Sequence, residues 1–413
     1  MRILVYTHFF YPEAGAGSIR MQYFVETLRN CKNEIRIISP RPNYPSSKPY
    51  PGHEKFYQKN ESAGIHYLPI YIPKNHSLIK RGLSYLSYFI SSFIFTSLWR
   101  FNPELVITSS PPISTALAAA CFSRLNRKKM ILDLRDIWPD IGIQLGLLNR
   151  NFSIQALKKI EKFILNSAES IILTAEGDKT NLVKKGVSQD SISIIFNGAD
   201  TDLFKPLEES EINKIRIEHE IPLDKKVLIY FGSYNYGMND LDILSEALVK
   251  LKKYNNEFYF IAAGDGDNRE SFISKISQSV NYKYMGAINI NTLAKILASS
   301  DISLIPRKGL KQDTGGNTPV KCFESWAAGV PVILSTNPDS EISKIFSENP
   351  AGILTEPDNA DSFMIAIQSL LQRNDLKKIG LSGRKYVEIN YNRKIESKKL
   401  EKIITNLNDH IAH

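Results

Sequence analysis

The sequence predicts an α/β protein built of two doubly wound, Rossmann-like domains in tandem. Three observations carry that expectation. The chain has 413 residues, enough for two or three domains at roughly 150 residues each. Short β-branched apolar runs alternate with longer helical stretches, the pattern of a parallel sheet covered on both faces. The pattern then restarts after a charged segment, residues 205–226.

In the first half the strand runs are 2–6 (RILVY), 34–38 (EIRII), 104–108 (ELVIT), 130–134 (MILDL) and 170–174 (SIILT). The second half gives 227–231 (VLIYF), 258–262 (FYFIA), 302–305 (ISLI) and 332–334 (VIL). Residues 205–226 read as a linker containing a helix, so the expected domains are 1–204 and 205–392. A last helix, 393–413, aligns Leu400, Ile403, Ile404, Leu407 and Ile411 on one face. That stripe must pack on another surface, and the first domain is the expected one. Ligands of doubly wound sheets bind outside the strand C-termini, so the expected site is a cleft where the two domains face each other.

Composition narrows the function. Apolar content is 43% and charged content 23%, ordinary globular usage that excludes a disordered chain. The three cysteines are far apart and form no C-x-x-C, which suits a reducing compartment and excludes a zinc ribbon. No P-loop, H-E-x-x-H or G-x-S-x-G is present, so ATPase, zincin and α/β-hydrolase readings fall away. The net charge of +9 lies entirely in residues 1–204, with 25 Lys/Arg against 16 Asp/Glu, while residues 205–413 hold 27 of each. A basic first half suits an anionic surface or substrate. Met1 and Arg2 run straight into a strand, so no signal peptide is expected. Residues 82–99 carry no charge, but seven of these eighteen are Gly, Ser or Thr. They predict a buried or surface-docked helix rather than a membrane span. Lys74, Lys80, Arg81 and Arg100 flank it, as suits an anionic membrane face.

Four segments hold groups able to do chemistry. Gly15 and Gly17 stand at the first strand-to-helix turn, where free backbone amides attract a phosphate. Residues 313–331 (DTGGNTPVKCFESWAAGVP) predict a helix over about 319–328, with Thr318 as N-cap, Pro319 at the first turn and Gly329 as the stop. Gly315 and Gly316 precede it, and Lys321 and Glu324 share one face. Amides, a cation and a carboxylate are what a nucleoside diphosphate asks for, although alone they also describe a capped helix with an i,i+3 ion pair. Asp133-Leu134-Arg135-Asp136 ends a strand and offers acid, base or sugar-hydroxyl contacts, or a surface turn of Asp–Arg pairs. Gly264-Asp265-Gly266-Asp267 reads as a tight turn. D-x-D recurs at Asp200 and Asp240, so no metal is inferred from it.

Taken in order, these motifs resemble glycosyltransferase family 4, whose fold is GT-B and whose chemistry is retaining. The likeness runs through the Gly15–Gly17 loop and Asn197-Gly198-Ala199-Asp200 with Phe204 and Pro206. It continues with Ala263-Gly264-Asp265-Gly266, Gly286, Ser300–Pro306 and Phe323–Val332. Thr108–Pro112 and Asp133–Pro139 resemble a WbuB-like subgroup of bacterial surface-polysaccharide transferases. The resemblance implies that Glu324 binds the donor ribose and that Gly17 offers its amide to the diphosphate. The first glutamate of the family's E-x7-E falls on Gly316, and the loop after Gly232 lacks the family's Arg and Lys. Lys321, with Arg307 or Arg20, is then expected to supply the cation. The family's His–Asp pair falls on Arg135–Asp136, leaving Asp136 as the candidate base.

The expectation is therefore a glycosyltransferase using a nucleotide-diphosphate sugar, UDP-linked, and a lipid-linked saccharide acceptor of O-antigen or capsule assembly. It would be cytoplasmic and peripheral on the inner membrane through its basic first domain, with no cofactor, metal or nucleic-acid partner. The alternatives are a sugar-nucleotide 2-epimerase and a non-catalytic partner of the same fold.

Overall fold

A computed structural model describes residues 1–13, 15–43, 53–73, 78–148, 150–235, 237–255, 257–309 and 318–409. The chain forms two compact units: Met1–Phe196 together with the chain from Lys394 on, and Asn197–Arg393. The first unit holds β1 (Arg2–Tyr6), β2 (Glu34–Pro40), β3 (Ile65–Leu68), β4 (Leu105–Ser110), β5 (Lys129–Leu134), β6 (Ser170–Leu173) and β7 (Ile192–Ile194). The second holds β8 (Lys226–Phe231), β9 (Phe258–Ala263), β10 (Tyr282–Gly286), β11 (Ile302–Ile305), β12 (Val332–Ser335) and β13 (Gly352–Thr355). The sheet orders are β3-β2-β1-β4-β5-β6-β7 and β10-β9-β8-β11-β12-β13, and every pairing is parallel.

Alternation along β1 shows why these runs are strands. Leu4 and Tyr6 enter one core with Val106, Ala119 and Leu132. Ile3 and Val5 enter the opposite core with Met21, Phe24 and Ile107. Apolar side chains on both faces are buried only when helices cover both. The last helix, Arg393–Asp409, supplies part of that cover. Leu400 and Ile404 are buried in the Ile3 and Val5 core, with Ile403 and Leu407 packed against it. Ile411, the fifth residue of the expected stripe, lies outside the described residues.

Residues 205–226 lie inside the second unit, which begins at Asn197. The helix Glu209–Glu218 opens on a reciprocal Glu208/Glu211 capping box and belongs to the second unit. Its buried Arg216 donates to Ser299 O at 2.9 Å and pairs with Asp301 at 2.8 Å. The charged run thus carries internal partners that its composition did not reveal.

Candidate functional site

In each sheet the connections diverge at one pair of neighbouring strands, β1/β4 and β8/β11, and such switch points open a crevice beyond the strand ends. In the second unit, Gly232 (φ +129°) follows β8 and Gly264 (φ +126°) follows β9. Both conformations favour glycine, and both Cα atoms are closely approached. A side chain at Gly264 would strike the Gly232 carbonyl, and one at Gly232 would lie 2.6 Å from Lys321 Nζ. Gly264 N donates to Gly286 O at 2.7 Å, and Gly232 N to Ala263 O at 2.9 Å. Lys321 therefore occupies the space that a side chain at Gly232 would take.

Lys321 rides on the helix Val320–Ala327, held in the core by Cys322, Phe323 and Trp326. Pro319 is the N-cap. The expected cap, Thr318, is corrected: its buried hydroxyl has no hydrogen-bond partner among the described residues. Lys321 Nζ donates to Asn239 Oδ1 at 3.2 Å and lies 4.5 Å from the centre of the Tyr230 ring. Burial, reinforced by the Arg307 charge, brings the Lys321 pKa from 10.5 down to about 7. Because the folded value is depressed, this lysine costs folding free energy in full below about pH 7, and the cost falls away as pH rises toward 10.5. Arg307 is buried, and its backbone N–H and carbonyl both bond the Ser335 hydroxyl. An antiparallel bridge from Asn239 to Arg307 ties the two loops together. The loop after Gly232 lacks a cation in sequence, yet Lys321 brings one to it from a neighbouring helix.

One turn further on, Glu324 is buried and accepts from Arg393 Nη2 at 3.2 Å. Burial raises its pKa, with Arg393 and then Lys321 opposing. The ion pair joins Glu324 to Arg393, whereas Lys321 bonds Asn239. Arg393 also donates to Asn197 O at 3.0 Å and Gly198 O at 2.8 Å. The Asn197–Asp200 motif thereby acquires a structural task. Gly198 (φ +52°) lies against the Tyr391 carbonyl, leaving no room for a side chain. Ala199 N donates to Tyr391 O and Arg393 N to Ala199 O, each at 2.9 Å. Both ends of the second unit are thus sewn together behind Glu324. Gly315 and Gly316 lie outside the described residues.

The first unit places Gly15 as N-cap of the helix Ala16–Asn30. A side chain on Gly17 would collide with the Arg135 guanidinium, which donates to Pro111 O at 2.5 Å. Burial lowers the Arg135 pKa, with Asp136 and then Asp133 opposing. Asp136 itself is half-buried. His8, just beyond β1, is buried among Phe9, Tyr85 and Tyr88. Burial, then Arg135, lowers its pKa to about 3, so it is neutral.

The expected ligand contact at Arg20 is corrected. Its Nε bonds both Asp133 oxygens at 2.9 and 3.1 Å, and Nη1 donates to Ile195 O at 2.8 Å. Arg20 is 4% exposed and Asp133 0%, so this is an internal clamp joining the first helix to β5. Asp133→Ala is expected to cost about 3–5 kcal/mol of stability by stranding a buried guanidinium. Urea denaturation would measure that loss.

Sequence reading missed Arg393, Tyr230, Asn239 and His8. For Arg393 no local signal existed, since it meets Glu324 across 69 positions. Asn239 lies in the loop after Gly232 and is uncharged, so only the contact with Lys321 marks it.

Two doubly wound parallel sheets with glycine-lined switch points define the GT-B class. Residues 225–373 match the family model for glycosyl transferases group 1. Over 396 residues the chain is 22% identical to the putative colanic acid biosynthesis glycosyl transferase WcaI of Escherichia coli K12, covering 94% of this chain and 96% of the relative. It is 25% identical to the probable glycosyltransferase WbjE of Pseudomonas aeruginosa, covering 72% and 71%. Anabaena HepE, solved with UDP and glucose, has a similar fold: TM-score 0.72 at 13% identity, covering 98% of this chain and all of that one. The chain carries a glycosyl transferases group 1 domain and is a glycosyltransferase.

Proposed function

We propose that the chain is a retaining transferase of the WbuB-like kind, moving a sugar from a UDP-linked donor to a lipid-linked saccharide. Its place would be the cytoplasmic face of the membrane, in O-antigen or capsule assembly. One arrangement carries the reading: Lys321 beside Gly232, under the influence of Arg307, with Glu324 one turn away inside the group 1 domain. A diphosphate leaving the sugar carries the developing negative charge, and fixed cations at that place stabilise the transition state most. Glu324 would accept from the ribose hydroxyls, held in position by Arg393. The first unit would receive the acceptor, with the Gly17 amide and Arg135 meeting phosphate and Asp136 taking the acceptor proton. Lys321 and Arg307 supply the charge that a metal would otherwise bring, so the reading is metal-independent. The relatives' names and the UDP and glucose bound by HepE support this choice of donor and product class.

Calorimetric titration of UDP, GDP, dTDP and ADP, with and without EDTA, tests it. The expected result is binding of UDP that survives EDTA. Binding of none would overturn the reading in favour of a non-catalytic partner, and donor turnover without acceptor would favour an epimerase.

A further inference from the structure

The helix Leu78–Leu98 inverts the usual order of a surface helix. Its inward positions are Ser84, Tyr88, Ser92 and Thr96, all buried. Its outward positions are Leu83, Leu86, Ile90, Ile94 and Leu98, which are 47% to 80% exposed. Spacings of three and four residues align these five along one face of a helix about 31 Å long. Three of these inward hydroxyls bond backbone carbonyls of the same unit. Ser92 donates to Phe89 O at 3.1 Å, Thr96 to Ser92 O at 2.8 Å, and Tyr88 to Ile38 O at 2.9 Å. The unit therefore folds without burying these five side chains of the helix, and a continuous apolar stripe is left facing outward. Stripes of that kind mark contact surfaces.

Charge selects the occupant. No acidic residue stands between Glu61 and Glu104, while Lys74, Lys80, Arg81 and Arg100 do. Arg81 and Arg100 are exposed, one near each end of the stripe. A second copy would bring the same basic ends together in either orientation and repel. An anionic lipid surface attracts both ends and accepts the apolar face between them. Among the described residues no helix is long and apolar enough to cross a membrane.

We infer that the Leu78–Leu98 helix docks this protein on an anionic bilayer, lying in the surface plane with Leu83, Leu86, Ile90, Ile94 and Leu98 in the headgroup boundary. The inference deepens the proposed function, resting on its lipid-linked acceptor, and names the face that reaches the lipid.

The test is co-sedimentation of the full chain with vesicles of phosphatidylcholine alone or mixed with phosphatidylglycerol. Wild type is expected to bind the mixed vesicles and to release as salt rises. The double variant Leu86→Glu/Ile90→Glu is expected to lose at least tenfold in partitioning, with circular dichroism and UDP affinity unchanged. Arg81→Glu/Arg100→Glu, which leaves the apolar stripe intact, is expected to weaken binding and flatten its salt dependence. Wild type remaining in the supernatant, or Leu86→Glu/Ile90→Glu binding as wild type, would overturn the inference. So would a wild-type dimer that this variant dissociates, since a second copy would then be the occupant. Equal binding to both vesicle types would overturn the anionic assignment. UDP titration of the same preparation separates the two ideas: vesicle binding without nucleotide binding sinks the proposed function and leaves the docking face standing.

Discussion

Replacing Lys321 with methionine is expected to lower sugar-transfer turnover by about 10²- to 10³-fold, the usual effect of removing one fixed charge from a transition-state site. Methionine keeps most of the side-chain volume against Gly232 and the Tyr230 ring, so the loss would report charge rather than packing. The pH dependence identifies the residue. Free Lys321 releases its proton near pH 7 because it is buried with Arg307 nearby, and a bound diphosphate favours the ammonium. Wild type should therefore take up about one proton on binding UDP at pH 8 and close to none at pH 6. Calorimetry in buffers of different ionisation enthalpy reads that uptake directly. Affinity should be flat below about pH 7 and fall as pH rises above it. Lys321→Met should lose both the uptake and the slope. A wild type with no proton uptake at pH 8 would remove Lys321 from the diphosphate site.

Glu324→Ala is expected to weaken UDP binding at least tenfold, through loss of charge-assisted hydrogen bonds to the ribose worth about 1.5–3 kcal/mol. It should also lower stability by about 3–5 kcal/mol, because buried Arg393 loses its carboxylate. Glu324→Gln separates the two effects. Its amide oxygen still accepts from Arg393, so most of the stability should return while affinity stays reduced. Titration and urea denaturation of both variants provide the comparison. Unchanged affinity in Glu324→Ala would confine this residue to holding Arg393.

The strand runs legible in the sequence are the inner strands of both sheets. The four that escaped, β3, β7, β10 and β13, are the outer strand at each edge. Reading for runs apolar on both faces finds only strands that are covered on both faces. The β3 and β10 sequences, IHYL and YKYMG, carry polar side chains and half-buried positions that break such a run. β7 is only three residues long, and β13 opens on glycine with an exposed Leu354. Part of the site was legible for a similar reason. Gly232 and Gly264 occupy backbone conformations that disfavour any other residue, and Lys321 and Glu324 share a face because helical spacing places them there.

By itself, then, the sequence determined what depends on neighbours along the chain: inner strands, turn glycines, the helix near 319–328 and the order of motifs. Tertiary structure decided which charge meets which. Arg20 reaches Asp133 across 113 positions and is consumed inside the first unit. Arg393 turns back to Glu324, and Lys321 enters the loop after β8 from a helix that follows β11. Strand order sets these meetings, since parallel strands adjacent in a sheet are joined through long crossovers. A charged side chain carries no mark in its local sequence of the strand that will lie beside it.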